Sequence, residues 1–482
     1  MFTKPFILQA LPELSGSAPH SQMDGQKEWQ VDRFETDSRR PLSGAGFVAL
    51  KGEKFDGNAF AQAAADAGAR LLILGPDAQL VTDHLPVQPW VVRVADPEQV
   101  YRQLAIAWAK QWKANGGSLI AICGSVGKTT TKEFLSAILT GKGQGVCKTL
   151  GSQNGFLGIP MTLLQLRPEH SWGVIEIGID DVGTMVRHLE TVQPDAGILT
   201  TIGPEHLERL IDLSTVAREE FLTIRWLTER GRVAVASWDD PWVRTQLGDS
   251  QPHSLCVTQL TDSPEEKLEN PPVASRLAMY QSRPQEDSDL LLVSDASLEI
   301  PLRGRHNAQN LLLAVSLARQ LGFSFSEIQQ GLTRFVGAPG RSEVRKSARG
   351  QTVICDYYNS QPASLRAALA LLDQCAQGRR RFACLGDMLE LGAGEEALHR
   401  EFAPLLIQLK VEGVFLYGSR MKWLWEELHH AKQSGHFRGE LEHFSSLDEM
   451  ANAVLSQTRP QDVVLIKGSN SLRMSEVWKF LA

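Results

Sequence analysis

Nowhere in the 482-residue chain is there an uninterrupted run of roughly 18 apolar residues, the length a membrane-spanning helix needs. Membrane insertion is therefore not expected. Residues Met1 to Gln9 lack the basic start, apolar stretch and small-residue cleavage site of a secretory signal, so a cytoplasmic location is expected. Cysteine is sparse: the six residues Cys123, Cys147, Cys256, Cys355, Cys375 and Cys384 include no CxxC pair, which speaks against a zinc ribbon or a disulfide framework and for buried free thiols. Positive charge is also short, with 49 Lys and Arg against 56 Asp and Glu and a net charge of -7. A strongly basic nucleic-acid surface is thus not expected. Short-period repeats are missing as well.

What is present is a globular mixture, 43% hydrophobic and 22% charged, far from the composition of disordered chains. At roughly 100–200 residues per domain the length predicts two to four domains. Apolar, β-branched runs alternate with helix-like stretches, the pattern of α/β units built on largely parallel sheets. The first block holds GFVALKG (46–52), ARLLILG (69–75) and WVVRVAD (90–96). Asp96 and Pro97 then mark a helix start, an N-cap followed by proline at N1, for a stretch running to Asn115. A second block carries SLIAIC (118–123), VIEIG (174–178), AGILTTI (196–202) and RVAVAS (232–237), nearly all-apolar runs typical of buried parallel strands. Between Val257 and Asp289 the chain turns polar and proline-rich, predicting an exposed excursion or an irregular antiparallel patch. The turn-rich VGAPGRSE (336–343) reads as a hinge. TVICDYY, RRFACLGDM, EGVFLYG and DVVLIKGS then form a third, Rossmann-like block. The resulting division is 1–97, 98–336 and 337–482.

The sharpest local signal is AICGSVGKTTTK (121–132), an apolar strand entering a glycine turn and then a helix headed by Lys128, Thr129 and Thr130. Gly124 and Gly127 would free backbone amides for phosphate oxygens, and a helix N-terminus favours negative charge. Lys128 suits the β/γ-phosphates and Thr129 suits Mg²⁺. The full GxxxxGK[ST] pattern is not met, because Ile122 stands where its first glycine belongs; a glycine turn before an ordinary helix is the competing reading. Glu176 ends an apolar strand, at the sheet edge where ligands of open α/β folds collect, and His206 follows another; each suits the metal side of a nucleotide site or a plain surface role.

Together these pieces resemble, in order and spacing, the Mur ligase family, ATP-dependent amide-forming enzymes of peptidoglycan precursor synthesis. The similarity runs over nearly the whole chain: TDSRRPLSGAGFVALKGEKFDGNAF (36–60), GSVGKTTTK, TLGSQNGFLGIPMTLL (149–164), GRHNAQNLLLA (304–314), GAPGR (337–341), DYYNSQPAS (356–364), LGDMLELG (385–392) and KGSNSLRM (467–474). The last three favour the branch that adds D-alanyl-D-alanine to a UDP-linked muramoyl peptide. The resemblance implies a three-domain α/β architecture with a central P-loop ATPase domain and a C-terminal Rossmann-like domain, acting as a monomer with ATP and Mg²⁺. It implies Lys128 and Thr129 at the ATP phosphates, Glu176 and His206 on the magnesium side, Asn307 and Asn310 beside the adenine, Arg341 near ribose or phosphates, and Asp356 at the ribose hydroxyls. Ser38, Arg39, Lys51 and Asp56 would meet the uridine diphosphate end, and Tyr358, Asn359 and Ser364 the dipeptide.

Several positions depart from the family. Glu220, with Glu219 one register away, stands where the family has a lysine that CO₂ converts to a metal-holding carbamate; glutamate supplies the carboxylate without modification but reaches less far. Gly155 and Thr201 replace asparagines, Asp180 and Thr184 replace asparagine or serine and glutamate, and Gln361 replaces another asparagine. Two alternatives stay open beside the dipeptide ligase: a paralogue joining a different amine and carboxylate, and a nucleotide-binding protein without turnover.

Overall fold

The computed structural model of the chain describes residues 1–12, 14, 29–52, 55–85, 87–250, 252–263, 274–283, 289–293 and 296–482. Glu53 and Lys54 of the uridine-side segment, and 264–273 and 284–288 of the polar stretch, lie outside the described residues. Two compact units emerge: Met1–Leu119 with Gly145–Ile175 and Glu190–Gln193, and Ile120–Gln144 with Glu176–Leu189 and Pro194–Ala482.

In the first unit, four short parallel strands lie side by side in chain order: β1 (Phe34–Glu35), β2 (Gly46–Val48), β3 (Leu71–Leu74) and β4 (Trp90–Arg93). Every residue of β3 is buried. Ala61, Ala64 and Ala65, on the turn of helix before it, pack into the same core as Leu72 and Leu74. Helix α1 (Pro97–Ala114) begins where the Asp96–Pro97 pair predicts, with the Asp96 carboxylate accepting the Gln99 N–H at 3.0 Å. Its buried indoles donate from Trp108 to the Leu166 carbonyl and from Trp112 to the Arg167 carbonyl, each at 3.0 Å, so neither ring nitrogen is left without an acceptor.

The second unit carries two sheets. In the first, β5 (Ser118–Cys123), β6 (Ala196–Leu199), β7 (Val233–Ser237), β8 (Leu255–Thr261) and β9 (Ala274–Gln281) are parallel neighbours; β10 (Asp289–Val293) and β11 (Ala296–Ile300) continue antiparallel. Of the stretch 257–289, the described residues hold most of β8 and all of β9, which pair in parallel, and β10 and β11, from Asp289 on, form a regular antiparallel extension. Its reason is visible in β10, where burial alternates residue by residue as in a sheet with one wet face. Helices α2 (Lys128–Leu139), α3 (Leu213–Thr228) and α4 (Arg305–Gln320) serve this sheet, and α2 is buried from Thr129 to Leu139.

The second sheet has the order β12-β13-β17-β14-β15-β16, from β12 (Glu343–Lys346), β13 (Thr352–Asp356), β14 (Arg381–Gly386), β15 (Gly413–Tyr417), β16 (Glu440–Phe444) and β17 (Val463–Lys467), parallel except for β12. Alternation splits its buried side chains: Ala383 and Leu385 belong to one core cluster and Phe382 and Cys384 to another. Leu365, Leu369, Leu372 and Cys375 of α5 (Pro362–Ala376), at spacings of a helical face, join the first cluster. A sheet covered on both faces explains why these strands read as unbroken apolar runs. All six cysteines are free and buried.

Candidate functional site

β5 ends at Cys123, and the chain turns through Gly124–Ser125–Val126–Gly127 into α2. Glycine is required at both ends of this turn. Gly124 has φ 116° and a Cβ there would lie 2.2 Å from the Thr200 hydroxyl; Gly127 has φ 92° and a Cβ would lie 2.4 Å from the Asn310 side-chain oxygen. The first half of the loop is tied to protein. The Gly124 N–H donates to Glu220 Oε2 at 2.7 Å, and the Ser125 and Val126 N–H groups donate to the Thr201 carbonyl at 2.7 and 3.3 Å. The expectation that Gly124 offers its amide to phosphate is therefore corrected: a buried glutamate takes it. Anion-facing capacity lies instead at the N-terminus of α2, which no side chain caps.

Lys128 opens that helix with its ammonium on the carbonyl of Gly124, 3.4 Å from the Ser125 carbonyl and 3.4 Å from Glu205. Burial works against its charge, but the carboxylates of Glu205, Glu220 and Glu176 outweigh that and raise its pKa above that of an ordinary lysine. Thr129 donates to Glu176 at 3.0 and 3.1 Å, and the fully buried Lys132 stands 3.3 Å from the same carboxylate. Thr130 is buried beside them in the first turn. A hydroxyl and a carboxylate meeting beside a phosphate turn are hard oxygen donors, the set Mg²⁺ completes with phosphate and water. Thr129 and Glu176 fit that ion.

His206 and Glu220 are not drawn to the same point. His206, in left-handed conformation at φ 47°, has Nδ1 2.7 Å from Glu390, and Glu220 is turned to Gly124. Among the described residues no group of three or more His, Cys, Asp or Glu side chains converges on one metal position. The four residues expected on the metal side thus divide into a Thr129–Glu176 pair and two separately engaged side chains.

On α4, Asn307 donates to the Arg303 carbonyl at 2.8 Å and Asn310 packs against Gly127; both are buried. The neighbouring His306 and Gln309, unmarked in the sequence, instead line a cavity of about 640 Å³ together with Trp242, Leu260 and Leu371. His306 Nε2 lies 3.1 Å from the Ser342 hydroxyl. Burial lowers its pKa to about 4, against the pull of Asp356, so it is neutral at pH 7.

Asp356 and Lys467 end adjacent parallel strands in register, β13 and β17, and meet at 2.6 Å. The other Asp356 oxygen accepts the Ser342 N–H at 2.9 Å, and Lys467 also donates to the Asn359 carbonyl at 2.8 Å. Arg341 lies over the Tyr358 ring at 4.3 Å. Ser364 is used locally, bonding the Gln361 N–H and carbonyl at 3.0 and 2.9 Å across the first turn of α5. In the first unit, Ser38 sits in a turn beside Arg39, whose guanidinium pairs twice with Asp37 at 2.8 Å. Lys51 is 3.9 Å from Asp56, which caps the following turn through the Asn58 N–H at 2.9 Å.

The chain belongs to the Mur ligase family: residues 122–318 match the Mur ligase middle domain and 340–470 the Mur ligase, glutamate ligase domain. Within that family it is similar to UDP-N-acetylmuramoyl-tripeptide--D-alanyl-D-alanine ligase, 30% identical to that of Escherichia coli (strain K12) over 454 residues and 94% of each chain. The protein of the same name from Bacillus subtilis (strain 168) is 27% identical over 452 residues and 92% of each chain. A crystal structure of MurF from Acinetobacter baumannii is similar with a TM-score of 0.78 at 26% identity, covering 100% of this chain and 98% of that one. Among the described residues no helix is long and apolar enough to cross a membrane.

Proposed function

We propose that this chain is an ATP-dependent ligase of the cytoplasm that adds D-alanyl-D-alanine to UDP-N-acetylmuramoyl-tripeptide in peptidoglycan precursor synthesis. The observation that carries the reading is the uncapped phosphate turn with Lys128 and the Thr129–Glu176 pair, in a chain whose curated relatives of that activity match it nearly end to end. Three functional domains, 1–97, 98–336 and 337–482, and action as a monomer without nucleic acid are part of the same proposal.

Displacing oxide from a carboxylate at neutral pH is prohibitive, so the oxygen must first become part of a leaving group. The acceptor carboxylate forms a bond to the γ-phosphorus as the bond to ADP breaks, giving an acyl phosphate. The dipeptide amine then attacks the acyl carbon, the tetrahedral adduct expels phosphate, and the ammonium proton passes to solvent. Lys128 and the amides of the first turn of α2 stabilise the charge spread over the transferring group. Thr129 and Glu176 would hold magnesium, which when bound supplies charge neutralisation at the phosphate oxygens. The cavity beside Trp242, His306 and Gln309 takes the adenine, with Asn307 and Asn310 shaping the helix that carries it. Asp356, already oriented by Lys467 and Ser342, has lone pairs left for the ribose hydroxyls, and Arg341 stacked on Tyr358 faces the ribose or phosphates. Ser38, Arg39, Lys51 and Asp56 take the uridine diphosphate end, and Tyr358, Asn359 and Ser364 the dipeptide end.

The test is phosphate release and product mass with Mg-ATP and both substrates, each omitted in turn. Pentapeptide formed only in the complete mixture supports the reading. One observation favours a paralogue with another amine or carboxylate: nothing lies within 4 Å of a Cβ placed on Gly155, so packing does not demand the loss of the family's asparagine. Phosphate release with other substrate pairs and none with the muramoyl tripeptide would select that second reading. Because Glu220 is a ready-made carboxylate, turnover is expected to be unchanged in CO₂-depleted buffer; stimulation by added bicarbonate would contradict this.

A further inference from the structure

Asp289 opens β10 fully buried, and its carboxylate collects donors from several elements. Oδ2 accepts from the Tyr280 hydroxyl on β9 at 2.7 Å, from the Gly304 N–H just ahead of α4 at 3.1 Å and from the Gln374 amide on α5 at 3.0 Å. Oδ1 accepts the Arg283 N–H at 3.2 Å. Gln374 Nε2 also donates to the Tyr280 and Ser282 hydroxyls, each at 2.8 Å. The members differ in origin: Tyr280, Ser282, Asp289 and Gly304 belong to the second block of the sequence and Gln374 to the third. Both walls of the cavity beside Trp242 meet at this point. One wall is α4, with His306 and Gln309; the other is α5, whose Ala367, Ala370, Leu371 and Gln374 recur at the spacing of one helical face. The Gly304 carbonyl accepts the Asn307 and Ala308 N–H groups at 2.9 and 3.1 Å, so the carboxylate that takes the Gly304 amide also anchors the first turn of α4.

We propose that Gln374 is a positioning residue for ATP: by docking α5 on the Tyr280–Asp289 pair it clamps the third block across the base cavity, while Asp289 holds the opposite wall, α4, through Gly304. A hydrogen bond to a carboxylate shut away from water contributes more than one between neutral groups. Asp289 is 0% exposed, so solvent does not replace the Gln374 donor unless the cluster opens. The width of the cavity is thereby set at one cluster shared by two blocks. By linkage, a ligand that needs both walls is weakened by the fraction of molecules in which the clamp is open, and a ligand that touches neither wall is indifferent to it. The uridine-side residues Ser38, Arg39, Lys51 and Asp56 belong to the other compact unit and supply that second case.

The clamp rests on the reading of this cavity as the adenine site. Full-length wild type is compared with Gln374→Met, which keeps the length and removes the donor, with Gln374→Glu, which sets a second carboxylate beside Asp289, and with Tyr280→Phe; thermal melts confirm folding. Affinity for a non-hydrolysable ATP analogue is measured by calorimetry, and KM for ATP and for UDP-N-acetylmuramoyl-tripeptide by phosphate release. The analogue is expected to bind roughly 10-fold more weakly to Gln374→Met, and more weakly still to Gln374→Glu. KM for ATP is expected to rise in step and KM for the muramoyl substrate to stay as it is, with kcat at saturating ATP lowered less than KM is raised. Tyr280→Phe, which leaves Gln374 in place and removes one of its acceptors, is expected to fall between wild type and Gln374→Met, and it carries the test if a substitution at 374 prevents folding. Unchanged analogue affinity in the variants, Gln374→Glu binding as well as Gln374→Met, or an equal rise in both KM values overturns the clamp and leaves the ligase reading intact. Failure of the wild type to bind the analogue overturns that reading and the clamp with it.

Discussion

Lys128→Ala is expected to lower kcat for ligation by roughly 10³-fold, within the range seen when one preorganised donor to a developing oxyanion is removed. The ammonium is held by the Gly124 and Ser125 carbonyls and by Glu205, and three carboxylates keep it charged, so in the proposed reaction it would meet the transferring phosphoryl group as a cation. The substitution removes more than a favourable charge. Glu205 loses its cation and then faces phosphate directly, so KM for ATP is expected to rise as well. Lys128→Arg restores charge but not shape, because a planar guanidinium does not fit the position of a compact ammonium folded back onto the loop carbonyls. Steady-state kinetics at saturating and limiting ATP separate the two effects. Retention of a tenth or more of wild-type kcat in a correctly folded Lys128→Ala protein would rule out this role.

Lys467→Met is expected to cost about 3 kcal/mol of stability at pH 7, the scale for breaking a buried ion pair by removing one partner. Lys467 is 2% exposed and Asp356 14%, and the replacement leaves the carboxylate with only the Ser342 amide and hydroxyl. The sign with pH follows from the wild-type pair. Burial opposes ionisation of Asp356, but Lys467, His306 and the Ser342 amide together lower its pKa below that of an ordinary aspartate. The stabilisation is therefore complete above the unfolded pKa near 4 and is lost as pH falls through the lower folded value. In the variant, burial acts without the lysine, so Asp356 takes up a proton at higher pH than in the wild type. The stability gap measured by urea unfolding should accordingly narrow from pH 7 to pH 4. A gap below about 1 kcal/mol at pH 7 would show that the pair is solvated rather than buried.

The parallel strands were legible because burial on both faces leaves continuous apolar runs, and the phosphate turn because only glycine tolerates the conformations at 124 and 127. The antiparallel β9–β11 were not legible as a regular sheet. Their alternating polar residues are interrupted by turn-rich sequence, and alternation fixes a wet face without saying which strand lies beside which. The motif around Asn307 and Asn310 marked α4 but not His306 and Gln309 of the same helix. Successive helical residues point about 100° apart, so His306 and Gln309 line the cavity while the asparagines turn inward. Glu205 was passed over because an acidic residue beside His206 reads as a solvated loop; its burial depends on Lys128 and α3, both distant in sequence. His206 and Glu390 are 184 positions apart, 390 minus 206, and no local pattern announces their pairing.

The burial of every cysteine carries a consequence for redox chemistry. The thiolate, not the thiol, reacts with oxidants and alkylating agents, and burial raises the Cys147 thiol to about 11 and the Cys355 thiol to about 12. A folded molecule therefore presents no reactive sulfur at neutral pH and needs none of the repair that a sensor cysteine requires. The same thiols are spread over both units, at Cys147 in one and at Cys123, Cys256, Cys355, Cys375 and Cys384 in the other. Sulfur reactivity in this chain is thus a property of its opened states alone, and each cysteine reports on the opening of the particular core that shields it.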